Sequence, residues 1–227
     1  MTESQPRRRR PTTTSAVPIP TSIWNAGPAP LAVTGYGPLR VLARAIHEFM
    51  NPKGFFLLAA LTPQQEALAP QVIAPLATEL HRHLPPSAAA TAASPLATPR
   101  VNDPADLIVA SLLAPMPSPV DTDTLARLTF GAAEKLCAGG VLAVISRHSH
   151  DSHGRLIDPT GLVVAAAQAA DLLYLSHIVA VPLEGDSVTA AEVPAESAGR
   201  HLNGHLDISV FLNPEARHSA STLDQAA

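Results

Sequence analysis

One stretch limits the possible folds more than any other. From Asp106 to Leu183, apolar runs of strand length alternate with amphipathic segments. Asp106-Leu-Ile-Val-Ala-Ser-Leu-Leu113 is the first such run. A helical pattern follows, capped by Asp121 or Thr122, with Leu125, Leu128, Ala132 and Leu136 on one face and Gly139-Gly140 as its stop. Val141–Ser146 is the next strand, Thr160–Ala170 a helix of small residues, and Leu172–Val181 a further strand. Strands joined by helices at this spacing require crossovers, so the sheet is largely parallel and the class is α/β. His205–Leu212 alternates polar with apolar, the pattern of a half-exposed strand, and is expected to pair antiparallel beside the preceding one.

The upstream half is less regular. Ser22-Ile-Trp-Asn-Ala-Gly27 is followed by Pro28, Pro30, Gly35 and Gly37 and reads as a loop. Pro38–Met50 places Leu39, Leu42, Ala43 and Ile46 on one helical face. Phe55–Leu61 is wholly apolar and suits a central parallel strand. Thr62-Pro63 starts a helix that carries Leu68, Val72, Ile73, Leu76 and Leu80 toward His83 or Leu84, with Pro70 and Pro75 able to split it. The organisation is then a basic tail over 1–22, one domain over 23–214 with a flexible linker or surface loop at 85–104, a mobile acidic loop from Glu184 to Gly204, and a polar tail over 215–227.

Composition sets bounds on function. Hydrophobic residues make up 46% of the chain but aromatics only 4%, so the core must be built from Ala, Leu, Val and Ile. A net charge of -4 argues against a broad nucleic-acid surface, although Arg7, Arg8, Arg9 and Arg10 form a basic run that could touch phosphate. The single cysteine, Cys137, excludes an internal disulfide, fits a reducing cytoplasm, and reads as a small packed residue at a helix end. No apolar run is long enough for a membrane span, and none follows the arginines as a secretory signal would need.

Taken together, Asp106–Leu113, the helix closed by Gly139-Gly140, the strand Val141–Ser146, the polar loop, the small-residue helix and the terminal strand pair resemble the class I S-adenosylmethionine-dependent methyltransferases. More narrowly, the order is similar to the bacterial DNA methylases that act on exocyclic amines of adenine or cytosine. The resemblance covers roughly residues 22–214, with Ser22-Ile-Trp24 and the helix after Pro38 matching the segment before the first strand and Phe55–Leu61 matching that strand. It implies a Rossmann-like sheet, mostly parallel with an antiparallel terminal strand, shortened between the first and fourth family strands.

The resemblance also marks two departures. A Ser/Asn/Asp-Pro-Pro-aromatic segment would grip a flipped base after the strand that begins at Asp106. Here that place reads Ser111-Leu-Leu-Ala114, and only Ser111 stays polar. A glycine-rich loop would cradle the cofactor after the first strand. Here it reads Ala60-Leu-Thr-Pro-Gln-Gln65, without glycine or acid, leaving Thr62 and Gln64 as the cofactor-facing candidates.

Other chemistry is sparse. His148, His150 and His153, with Asp151 among them, offer imidazoles for a transition metal, although a solvated polar loop is the plainer reading. His81 and His83 suit a helix C-terminus, Asp158 a helix cap, and Trp24 a place on the core rather than a base-stacking platform. The expected function is therefore a degenerate DNA methyltransferase-like protein without catalysis, acting as a binding or regulatory module toward a protein partner or DNA and holding no cofactor. Two alternatives stand beside it: an active enzyme using S-adenosylmethionine at an atypical site, and a metal-binding regulator built on the His148–His153 loop.

Overall fold

The computed structural model describes residues 22–27, 31, 35–51, 54–81, 91–95, 104–113, 116, 120–184, 187–188 and 204–214. Its centre is a seven-stranded sheet in the order β1-β8-β11-β5-β4-β2-β3. The strands are β1 (Ile23–Asn25), β2 (Phe56–Ala60), β3 (Thr91–Pro95), β4 (Ala105–Ser111), β5 (Leu136–Ser146), β8 (Leu173–Val181) and β11 (Leu206–Leu212). Only β11 runs antiparallel, against both β5 and β8; the other pairings in this sheet are parallel. Two small hairpins, β6 (Ser149–His150) with β7 (Leu156–Ile157) and β9 (Leu183–Glu184) with β10 (Ser187–Val188), lie outside it. The sheet is Rossmann-like and mostly parallel, as expected from the alternation of strands and crossover helices, with the antiparallel late strand that the resemblance implies.

Strand alternation sorts the core into two layers. Phe56 and Leu58, Leu107 and Val109, and Val141, Ala143 and Ile145 face one side, where α1 (Leu39–Phe49) and α2 (Pro63–His81) cover them. Leu57 and Ala59, Ile108 and Ala110, and Leu142 and Val144 face the other, under α3 (Thr122–Lys135) and α4 (Thr160–Ala169). A sheet covered on both faces explains why β2 and β4 read as continuous apolar runs. Asp106 ties the layers' edges together: its carboxylate accepts from Asn51 Nδ2 and from the Phe55 amide, each at 2.8 Å. Asp121 caps α3 by accepting from the Thr124 amide and hydroxyl, and these bonds hold its carboxyl below the usual range.

Several expectations are corrected. The Trp24 segment is a strand, β1, paired in parallel with Val179–Val181, and the buried indole packs on Phe49 with the Arg44 guanidinium over its ring. Proline and glycine around it mark turns but leave room for a short edge strand. The stretch taken as a linker contains β3, which pairs with β2 through the backbone; its small residues give no periodic signal. Pro70 and Pro75 do not split α2, which is continuous. Cys137 lies inside β5, not at a helix end, because Leu136 is already extended; burial first, and then the charge of Asp106, pushes its thiol pKa up. The polar loop after β5 folds into the β6–β7 hairpin. β11 is central rather than half-exposed, and its first six residues are buried. Arg7–Arg10, His83, most of the acidic loop and the 215–227 tail fall outside the described residues.

Candidate functional site

Strand order reverses between β2 and β4. From β2 the chain crosses over α2 to β3 on one flank, and from β4 over α3 to β5 on the other. Open α/β sheets bind ligands in the crevice beyond the carboxyl ends of such a pair. Among the described residues, one buried side chain lies between these two strand ends. Gln65, in the first turn of α2, is completely buried. Its amide oxygen accepts from the Leu61 amide at the end of β2, and its amide nitrogen donates to the Ser111 carbonyl at the end of β4, both at 2.9 Å. One side chain thus joins the two strand ends and uses the backbone groups that would face a ligand.

Tyr36 is bonded to the same residue. Its hydroxyl donates to the Gln65 carbonyl at 3.3 Å, and its ring is 1% exposed. Burial, followed by the nearby charge of Glu66, raises its pKa from 10.0 to about 12. Gly37 follows, with φ at +86°, and a Cβ there would sit 3.5 Å from Leu113 Cδ1 and 3.8 Å from Ile145.

The sequence-derived residues make local contacts. Ser111 is buried and its hydroxyl accepts from the Leu113 amide at 3.2 Å, a local turn bond. The Thr62 hydroxyl accepts from the Gln65 amide at 3.2 Å and so caps α2. Gln64 is exposed.

A second polar centre lies further along the same carboxyl edge. Asp207, the second residue of β11, is 2% exposed and sits opposite Ser146 and Val179. His177 Nε2 lies 2.8 Å from its Oδ1, His205 Nε2 3.6 Å from the same oxygen, and His148 Nδ1 3.3 Å from its Oδ2. The rings of His148 and His205 meet edge to face at 5.5 Å. The far nitrogen of His148, Nε2, is 3.7 Å from Asp158. Burial works to raise the Asp158 carboxyl, but hydrogen bonds from Thr160 and the nearby His148 and His177 outweigh it and hold it below the usual range.

His148, His205 and Asp207 are the metal-capable trio among the described residues; His150 and His153 do not join it. Those two belong to the β6–β7 hairpin, whose turn is organised by Asp151 accepting from the His153 and Arg155 amides. Sequence spacing pointed to the hairpin because its histidines are adjacent in the chain. The partners of His148 are Asp207 of β11, His205 just before it, and Asp158 ahead of α4. The signal that could have found them is the His205-Leu-Asp207-Ile-Ser209 alternation, which puts three polar side chains on one face.

A third feature is a cavity of about 540 Å³ lined by Asn25, Arg40, Ala43, Arg44, His47, Glu79 and Leu80. It presents the cationic face of α1, partly balanced by Glu79 and by the Arg44–Glu48 pair at 2.9 Å.

No protein-family model matches the chain, and no curated protein resembles it in sequence. Solved structures resemble it at low identity. The N-methyltransferase NodS from Bradyrhizobium japonicum WM9 is 17% identical, with a TM-score of 0.41 over 78% of this chain and 96% of its own. A SAM-dependent methyltransferase from Methanosarcina mazei is 10% identical, with a TM-score of 0.41 over 75% of this chain and 97% of its own. The TehB-like SAM-dependent methyltransferase from Corynebacterium glutamicum is 14% identical, with a TM-score of 0.37 over 75% and 85%. The chain is a Rossmann-like α/β protein, and no helix among the described residues is long and apolar enough to cross a membrane.

Proposed function

We propose that this chain is a methyltransferase-like binding module without methyl-transfer activity, derived from the DNA amino-methyltransferase pattern its sequence resembles. The observation that carries this reading is Gln65. A fully buried amide bridging Leu61 and Ser111 stands in the switch-point crevice, where a cofactor would need open backbone and room. Ser111, the one polar survivor of the base-gripping segment, has its hydroxyl committed to Leu113.

What such a module binds is suggested by charge. The Arg40, Arg44 and His47 side chains line an open concavity on α1, a surface suited to phosphate oxygens of DNA. Two measurements test the reading. Calorimetric titration of tag-free protein with S-adenosylmethionine and S-adenosylhomocysteine should give no saturable heat. One-to-one binding at micromolar affinity, or methyl transfer to DNA, would overturn it and favour the atypical enzyme. Binding of a fluorescent DNA duplex should weaken with salt and on Arg40→Ala; indifference to both would redirect the search to a protein partner.

A further inference from the structure

We propose that His148, His205 and Asp207 bind one divalent transition-metal ion of the zinc class, and that His177 and Asp158 support them from behind. The donor atoms of the trio all lie within 4.8 Å of one another. The separations from Asp207 are 3.3 Å to His148 Nδ1 and 3.6 Å to His205 Nε2. Neighbouring ligand atoms around a tetrahedral ion with bonds of about 2.1 Å are themselves about 3.4 Å apart. A bare ion pair would draw in to about 2.8 Å. His177 does so on Asp207 Oδ1, at 2.8 Å, whereas His148 stands 3.3 Å from Oδ2, the spacing of a ligand shell, and His205 stands 3.6 Å from Oδ1.

The surroundings fit as well. A metal-bound imidazole needs its other nitrogen held, and a carboxylate is a common holder. His148 turns Nδ1 toward Asp207 and Nε2 toward Asp158. His177 donates to the carboxylate of Asp207, which fixes the orientation of that ligand. Asp207 is buried with three imidazoles around it, and a divalent ion bound there would supply the countercharge of its carboxylate. Two imidazoles with one carboxylate select zinc, cobalt or nickel over calcium and magnesium, which prefer oxygen shells.

The three protein donors leave a fourth position of a tetrahedron for water or for an oxygen or nitrogen donor of a partner. Ser209 lies on the same strand face as Asp207, beside His177, and its buried hydroxyl has no partner among the described residues. An orphaned hydroxyl at that depth suits a centre that takes up an additional polar group.

The test uses the full chain purified without a tag, stripped with a chelator, and titrated with zinc chloride. One equivalent should bind, and cobalt should produce the visible absorption of a tetrahedral nitrogen–oxygen site. His148→Ala and His205→Ala should each weaken binding by about 100-fold or more, and Asp158→Asn by about tenfold or more. The His150→Ala/His153→Ala double variant should bind as the parent does. His205 precedes β11 and is partly exposed, so its replacement spares the core; circular dichroism confirms that the variant is folded. The proposal fails if the parent shows no saturable zinc binding, if folded His205→Ala binds like the parent, or if the hairpin double variant alone loses the metal.

Discussion

Two places on one sheet edge received opposite treatment. At the carboxyl ends of β2 and β4 the polar groups are neutral, paired and sealed: Gln65 spans Leu61 and Ser111, and Tyr36 is bonded to it. Beyond β5, β11 and β8 the groups are ionisable, partly exposed and incompletely matched. Asp207 faces His148, His177 and His205, while Ser209 nearby has no partner among the described residues. Topology favours ligand binding at the first place. Side-chain chemistry favours it at the second. A buried polar group that is satisfied from within stabilises the fold, whereas one left unsatisfied, or a carboxylate surrounded by imidazoles, retains capacity for a ligand.

The largest expected effect separates the two directly. Gln65→Ala should cost about 2–4 kcal/mol in urea unfolding, because it strands the Leu61 amide and the Ser111 carbonyl in the interior. Metal should not change that cost. If Gln65→Ala is neutral and gains affinity for S-adenosylmethionine, the side chain is a plug over a surviving site rather than a structural staple.

Zinc should give the next effect. At a free concentration about 100 times its Kd, it should stabilise the parent by about 2.7 kcal/mol. Gln65→Ala should gain the same increment, since separate sites without shared partners add. Asp207→Asn should gain little or none, and in chelator it should lose only about 1 kcal/mol from the weakened His177 bond. Thermal unfolding of the three proteins with and without metal reads all of these. A zinc increment that changes with Gln65 would mean that the two places are coupled.

The fold was legible where burial is two-sided. β2 and β4 are continuous apolar runs, and α1, α3 and α4 carry their periodicity or caps within a few residues. β1 and β3 were not legible, because edge strands of a few residues are set by pairing with a neighbour and β3 is composed of small residues with no β preference of their own. The sites divide the same way. Loss of the glycine loop and of the aromatic platform could be read from letters alone. That Gln65, rather than Thr62 or Gln64, fills the gap could not, since the choice depends on which face of the first turn of α2 meets β4. His148 was legible, but Asp207 and His205 lie far along the chain and meet it only because β11 inserts between β5 and β8.

The smallest effect probes the tyrosine at the sealed place. Tyr36 holds its proton more tightly in the folded state, at about 12, than the ordinary value of 10.0. A group whose folded pKa is raised contributes stability that is complete below the unfolded pKa and disappears as pH climbs through the folded one. The parent should therefore lose stability between about pH 10 and 12, beyond the general alkaline decline. Tyr36→Phe removes that component while losing only the 3.3 Å bond to Gln65, about 0.5–1 kcal/mol at neutral pH. Urea unfolding at pH 8 and near pH 11 checks both parts. A steeper fall in the parent than in the variant would show that the phenol is sealed against the crevice. Parallel curves would mean that it ionises freely, and that the place beside it is more open to ligands than its buried neighbours imply.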